Sequence, residues 1–557
     1  MDKIWLNAYP PGTPAEIDPD AYPSLTSIFE ENCRLFADRP AFHNLGVTLS
    51  YGEIDKLSRD FGAYLLGLGL IKGDRVMLMM PNILQYPIAM IGALRAGLVV
   101  VNTNPLYTPR ELRHQLLDSG ARCIVILENF AHVLEKVQAE VRVGHIIIAS
   151  VGDLAPFPKR TVVNFVVRQI KHMVPPYNLP GAVSFRRALT RGARAEWRPG
   201  GIGPQDVAFL QYTGGTTGVP KGAILTHRNM VANLLQVGAF WGNLIEPGQE
   251  IIITPLPLYH IFSLTCNCLV FMQHGALIVL ITNPRDIGAL VRELARWRFS
   301  MISGVNTLYN ALLNHPEFAR LNFSKLKLGA AGGMALHPVV YEKWRAITGK
   351  PLVEGYGLTE ASPVVTGNSY ESPRVGSVGV PLPSTDVSIR DGDVEIPAGQ
   401  PGELCVRGPQ IMRGYWKRDD ETAKTFTPDG WLRTGDIAII DDTGFIRIVD
   451  RKKDLIIISG FKVFPNEIET VVAEHPAVLE CGCIGVSDPQ SGEAVKIFVV
   501  LREGSTVTIE ALRDYCRERL TPYKIPKYVE FRTSLPKTNI GKILRRALAD
   551  DETSRAA

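Results

Sequence analysis

The stretch YTGGTTGVPKG at residues 212–222 constrains the fold more than any other part of the chain. Four glycines, three threonines and one lysine fall within it. Glycine lets a backbone take positive φ and come close to an anion, threonine hydroxyls donate to phosphate oxygens or ligate a metal, and a lysine adds charge. The residues of interest are Thr213, Gly214, Gly215, Thr216, Thr217, Gly218 and Lys221. An apolar run at 207–210 before the loop reads as a strand, and residues 229–237 after it read as a helix. That is the strand-to-helix setting in which α/β proteins hold phosphates. The spacing is not that of a Walker loop, because Lys221 lies between Pro220 and Gly222.

A chain of 557 residues exceeds what one hydrophobic core serves, and 46% hydrophobic residues suffice for two. The formal net charge of +4 is too mild to indicate nucleic acid as a partner. The eight cysteines are sparse, and the pairs Cys266/Cys268 and Cys481/Cys483 lack zinc-site spacing, which predicts reduced core residues. The amino terminus, MDKIWLNAYPPGTP, has no apolar secretory core, which predicts a cytoplasmic protein.

Residues 251–272 are apolar over a membrane-spanning length, but Pro255, Pro257, His260 and Asn267 interrupt them and predict buried core. Residues 162–174 carry apolar side chains at helical spacing, interleaved or flanked by basic ones. Packing on its own domain is the favoured reading of that helix, and peripheral contact with a membrane surface is the other.

Short β-rich runs at 75–80, 123–127, 145–149 and 276–280 alternate with amphipathic stretches at 51–66 and 109–118, which is the pattern of an α/β domain. After Pro373 the pattern becomes strands punctuated by glycine and proline, at 387–389, 402–406, 431–432 and 437–440, predicting a small β subdomain. The charged interruption VDRKKD at 449–454 marks a boundary. Beyond it a helix at 465–475 and a strand at 493–501 predict a compact α+β tail.

Four further motifs follow the loop: EGYGLTE at 354–360, GWLRTGD at 430–436, DRKKDLIIISGFKVFPNEIE at 450–469 and PKTNIGKILRR at 536–546. In this order the chain resembles the adenylate-forming superfamily of acyl-CoA synthetases, luciferases and adenylation domains, from about residue 24 to 546. The resemblance is strongest to the bacterial long-chain fatty-acyl-CoA synthetase branch, through YTGGTTG, PLPLYHIF, ITNPRD, GVNTLYNALLN and LVEGYGLTE. It implies an α/β fold with a large N-terminal AMP-binding domain over 1–449 holding the acyl and ATP sites. A hinge at 450–453 and a small mobile α+β C-terminal domain over 454–557 would follow.

The implied reaction activates a fatty acid with ATP to acyl-AMP plus pyrophosphate and transfers the acyl group to CoA, feeding fatty-acid degradation or lipid metabolism. A medium-chain or aryl acid–CoA ligase, or an acyl-AMP ligase loading a carrier protein, is the alternative. Oxide is a hopeless leaving group, and AMP leaves readily. Charge gathers at the α-phosphate during the attack, so positive and hydrogen-bonding groups placed there lower the barrier.

Carried residue by residue, the resemblance gives that cationic role to Lys542, the magnesium ligands to Glu360 and Thr213, and an α-phosphate contact to Thr359. Catalytic contributions from Thr216 and His260 complete the set, His260 lying beside the acyl pocket. Asp436 would accept both ribose hydroxyls with Arg451 near the same sugar. Tyr356 would stack on adenine, with Gly332, Gly333, Glu354 and Gly355 leaving room for the base. Lys453 falls at the hinge. Rotation about it would withdraw Lys542 and bring Ser459, Gly460 and Phe461 to a pantetheine tunnel.

Gly214 replaces the Ser or Thr of many relatives, Leu264 occupies the region of a gating Trp, and Lys462 replaces an aromatic of some. The expected cofactors and partners are ATP, magnesium, CoA, a medium to long fatty acid, a peripheral membrane surface on the inner face of the cell membrane and a second copy in a homodimer.

Overall fold

The computed structural model describes residues 3–213, 220–458, 461–538 and 541–556. Strands such as Cys123–Leu127 and Val99–Asn102 are buried at every position. Such runs suit parallel strands covered on both faces. They form a seven-stranded sheet ordered Val183–Ser184, His145–Ala149, Cys123–Leu127, Arg75–Met79, Val99–Asn102, Val207–Thr213 and Lys221–Thr226. All its pairings are parallel except the last.

A nine-stranded sheet carries Ile251–Thr254, Met301–Gly304, Leu328–Ala331 and Leu352–Gly357 as parallel neighbours, with antiparallel strands at both edges. The helices Tyr51–Gly67 and Gln85–Arg95 belong to the largest core, and the second is buried along its whole length. They meet backbone to backbone. A Cβ on Gly92 would lie 2.6 Å from the carbonyl oxygen of Ser58, and one on Gly62 would lie 2.8 Å from that of Gly92. Capping boxes, Ser50 with Glu53 and Thr108 with Glu111, start the helices Tyr51–Gly67 and Pro109–Ser119.

The β subdomain is an antiparallel sheet ordered Val394–Glu395, Asp386–Asp391, Gly402–Arg407, Leu432–Ile440 and Ile446–Arg451. From Leu432 on, the runs expected at 431–432 and 437–440 belong to one strand with an irregularity in its pairing. The tail sheet pairs Val478–Asp488 with Gly492–Leu501, against which the helices Pro465–Ala473 and Ile509–Arg517 pack around a separate core. The protein is therefore α/β, with a large N-terminal domain and a small α+β C-terminal one. All eight cysteines are free and buried.

Two expectations change. The glycine-rich loop does not lead into a helix: Lys221–Thr226 returns antiparallel to Val207–Thr213, with Thr213 opposite Lys221. The helix His227–Trp241 begins only after this second strand, about 20 Å from the loop at ~3.3 Å per residue, so its N-terminus does not face the loop. Residues 162–174 pack on their own domain only in part, with Val163 lining a small cavity beside Leu84 and Val151. The helix Lys159–Phe165 and the π-helical turn Val166–Ile170 contain no buried residue. Phe157, Val162, Phe165 and Ile170 are 76%, 56%, 57% and 63% exposed. Polar ties hold the segment down: Arg168 pairs with buried Glu128, and the Gly152 N–H donates to Asn164 Oδ1. Among the described residues, no helix is long and apolar enough to cross a membrane.

Candidate active site

The hairpin Val207–Thr213 and Lys221–Thr226 forms the stem of the glycine-rich loop; Gly214, Gly215, Thr216, Thr217 and Gly218 lie outside the described residues. A third segment adds to it. The Ile224 N–H donates to the Gly414 carbonyl at 2.9 Å, and the Trp416 N–H donates to that of Gly222 at 2.8 Å. Lys221 Nζ pairs with Glu421 at 2.6 Å and stands 5.1 Å from the Tyr415 ring centre. The Tyr415 hydroxyl donates to Glu360 Oε1 at 2.6 Å. Glu360 sits with Thr359 on a short 3-10 turn, Thr359–Ala361, both half-buried.

The strand Leu352–Gly357 supplies the next wall. Tyr356 donates its hydroxyl to Asp436 Oδ2 at 2.5 Å, and Arg451 Nε pairs with Asp436 Oδ1 at 3.0 Å. Asp436 and Arg451 lie opposite each other in register on Leu432–Ile440 and Ile446–Arg451, so strand pairing makes this contact. The charge of Asp436 holds Arg451 firmly protonated, while burial and Asp436 hold the Tyr356 phenol protonated. Glu354 points elsewhere. Its carboxylate accepts from the Leu336 N–H at 3.1 Å, and burial pushes its pKa up to about 8. Gly332, Gly333 and Gly355 are tight positions: a Cβ on Gly332 would lie 3.1 Å from the Phe262 ring, Gly333 has φ +77°, and a Cβ on Gly355 would lie 3.0 Å from the Thr366 carbonyl oxygen.

His260 caps the short helix Ile261–Ser263, its Nδ1 accepting from the Phe262 N–H at 3.3 Å. A ring nitrogen that accepts bears no proton, so the proton is on Nε2. Burial pushes its pKa down to about 4, and the ring is a neutral donor at physiological pH.

The tail reaches into the same space. Thr307 Oγ1 donates to the Gly541 carbonyl at 3.2 Å, and the Lys542 N–H donates to Thr538 Oγ1 at 3.0 Å. Burial, and then the like charge of Arg451, lowers Lys542 to about 8, with Asp436 opposing. Lys542, Arg451, Asp436 and Tyr356 therefore converge. The neighbouring Arg545 is neutralised by Asp450 at 2.7 Å, Glu469 at 2.7 Å and Asp454 at 3.3 Å.

Partners alternate along the linker. Asp450 accepts from the tail's Asn466 N–H at 2.6 Å, Lys452 pairs with Glu403 of the β subdomain at 2.9 Å, and Lys453 is exposed. Phe461 is exposed and stacks on Tyr523 of the tail with ring centres 4.8 Å apart. Ser459 and Gly460 lie outside the described residues.

Tyr415, Glu421 and Thr307 were not legible as site residues, since nothing in their local spacing distinguishes them. A tyrosine shortly before an acid-rich helix start is an ordinary pattern.

A family model described as AMP-binding enzyme matches residues 29–416, and one described as AMP-binding enzyme C-terminal domain matches residues 467–542. A long-chain-fatty-acid–CoA ligase of Escherichia coli O6:H1 is 58% identical over 554 residues, covering 99% of this chain and 98% of that one. The crystal structure of the anthranilate CoA ligase AuaEII in complex with anthranoyl-AMP has a TM-score of 0.87 at 24% identity, over 97% of this chain and 100% of that one, which is a likeness of fold. The Mycobacterium tuberculosis fatty acyl CoA synthetase has a TM-score of 0.70 at 26% identity, over 96% and 99% of the two chains. With both family models matched in order and a relative alike over nearly its full length, the chain belongs to the AMP-binding enzyme family, the adenylate-forming superfamily.

Proposed function

We propose that this protein is an ATP-dependent, AMP-forming ligase that joins a long-chain fatty acid to CoA. The observation that carries this reading is 58% identity across 99% of the chain to a long-chain-fatty-acid–CoA ligase. The convergence of Lys542, Arg451, Asp436 and Tyr356 supports it.

In this reading residues 1–449 hold ATP and the acid, and residues 454–557 carry Lys542. The neutral His260 Nε2–H donates to an oxygen of the fatty acid, and the carboxylate attacks the α-phosphate. The bond from that phosphorus to the bridging oxygen breaks, and pyrophosphate leaves. Lys542, Thr359, Thr216 and Lys221 face the charge that develops, and their effect is larger in the transition state than before it. Asp436 takes the ribose hydroxyls, held by Tyr356 and Arg451. Tyr356 also offers a ring face to adenine beside Gly332, Gly333 and Gly355. Glu354 acts behind this wall, through the backbone of Leu336.

Glu360 and Thr213 fit a magnesium ion. Both offer hard oxygens, and this ion is commonly held by one or two carboxylates plus substrate phosphates. When bound, it would neutralise phosphate charge. Rotation of the tail about Lys453 then withdraws Lys542 and admits CoA past Ser459, Gly460 and Phe461. The thiolate attacks the acyl carbonyl and AMP leaves.

Incubation of the purified protein with ATP, CoA and a graded series of acids, following AMP and thioester, tests this. Palmitoyl-CoA is the expected product, and its absence overturns the reading. The product would feed fatty-acid degradation or lipid metabolism in the cytoplasm. The exposed apolar residues of 157–173, flanked by basic ones, support peripheral membrane contact. Flotation with anionic liposomes tests it, and absence of retention overturns it. A homodimer is the oligomeric reading that sedimentation would test.

A further inference from the structure

The residue Glu360 is gripped twice by one short segment. The Met412 N–H donates to its carbonyl oxygen at 2.7 Å, and Tyr415 donates its hydroxyl to Oε1 at 2.6 Å. The same segment is bonded on its other side to the loop stem, through Arg413 N–H to the Ile224 carbonyl at 3.1 Å and Trp416 N–H to the Gly222 carbonyl at 2.8 Å. Four residues thus set the loop's stem and Glu360 in one frame. Tyr415 is only 8% exposed, and its own N–H is fixed on Thr422 Oγ1 at 2.9 Å.

Glu360 is half-exposed, so burial alone does not demand a partner for it. Arg451 feels the charge of Glu360 but is paired with Asp436, Lys221 is paired with Glu421, and among the described residues no basic group forms an ion pair with Glu360. Its Oε2 accepts no hydrogen bond from a described residue. Among the described residues, no group of three or more His, Cys, Asp or Glu is arranged for a metal ion, so the aim of this single carboxylate matters more.

We propose that Tyr415 is a positioning residue for adenylate formation: its phenol fixes one oxygen of Glu360 and leaves the other to the magnesium ion of the bound triphosphate. This rests on the ligase reading above.

The test compares wild type, Tyr415→Phe and Thr422→Val. Thr422→Val removes the bond to the Tyr415 backbone and leaves the phenol. Calorimetry with a non-hydrolysable ATP analogue, with and without magnesium, is read beside the magnesium dependence of pyrophosphate exchange. Tyr415→Phe should weaken binding of the magnesium complex about tenfold, as expected for a lost hydrogen bond to a charged group, with metal-free binding unchanged. The magnesium concentration for half-maximal exchange should rise similarly, kcat at saturating magnesium should stay within about twofold, and thermal midpoints should match. Thr422→Val should bind as wild type. An unchanged magnesium response in Tyr415→Phe overturns the proposal, and so does an equal change in Thr422→Val. The calorimetry decides even if no acyl-CoA forms, which would count against the ligase reading instead.

Discussion

Thr307 Oγ1 donates to the Gly541 carbonyl at 3.2 Å across 234 residues of sequence, tying the tail loop that carries Lys542 to the front domain. Gly541 suits this approach, with φ +89° and a notional Cβ 2.7 Å from that hydroxyl. The bond belongs to the arrangement in which Lys542 lies beside Arg451 and Asp436.

Thr307→Val keeps the shape and removes the donor. The rate of acyl-AMP formation should fall about three- to tenfold, matching one lost hydrogen bond. Conversion of supplied acyl-AMP to thioester should not slow, because in the proposed cycle the tail has left this position by then. Rapid quench of the two half-reactions checks both.

Lys542 is lowered to about 8, and a lysine is cationic below its pKa. The adenylation rate should therefore fall as pH rises through about 8. Lys542→Arg, whose charge persists above pH 12, should be slower at neutral pH but should lose this alkaline limb. If the limb persists in the variant, another group titrates, and Glu354, raised to about 8, is the first to examine.

The Tyr356 hydroxyl holds Asp436 Oδ2 at 2.5 Å. In Tyr356→Phe the ring face remains and the carboxylate loses a donor, so KM for ATP should rise about fivefold while KM for palmitate stays. Steady-state kinetics with each substrate varied in turn distinguishes this from a general loss of folding.

Lys221 is bound to Glu421 at 2.6 Å in a pair 27% and 41% exposed. Such a solvent-screened pair adds little to stability. Glu421→Gln should leave the thermal midpoint almost unchanged. It should lower KM for ATP about twofold, because the lysine no longer exchanges one anion for another.

Gly92→Ala should destabilise the front domain by about 2 kcal/mol or more, since its Cβ would meet the Ser58 carbonyl oxygen at 2.6 Å. A lower urea midpoint measures this.

The sequence by itself determined the alternation of strands and helices, the glycine-rich loop, the small β subdomain, the change of character near residue 450 and the order of motifs that marks the superfamily. These are properties of contiguous stretches, where periodicity, turn residues and composition act over a few positions. Tertiary structure decided that the loop closes a hairpin, that the 157–173 segment stands exposed, and that Glu354 turns towards Leu336. It also decided that Tyr356 meets Asp436 across 80 residues and that Tyr415 meets Glu360 across 55. Contacts of that kind follow from which strands pair and in what register. The free energy that fixes them comes from burial spread over whole domains, which no local stretch records.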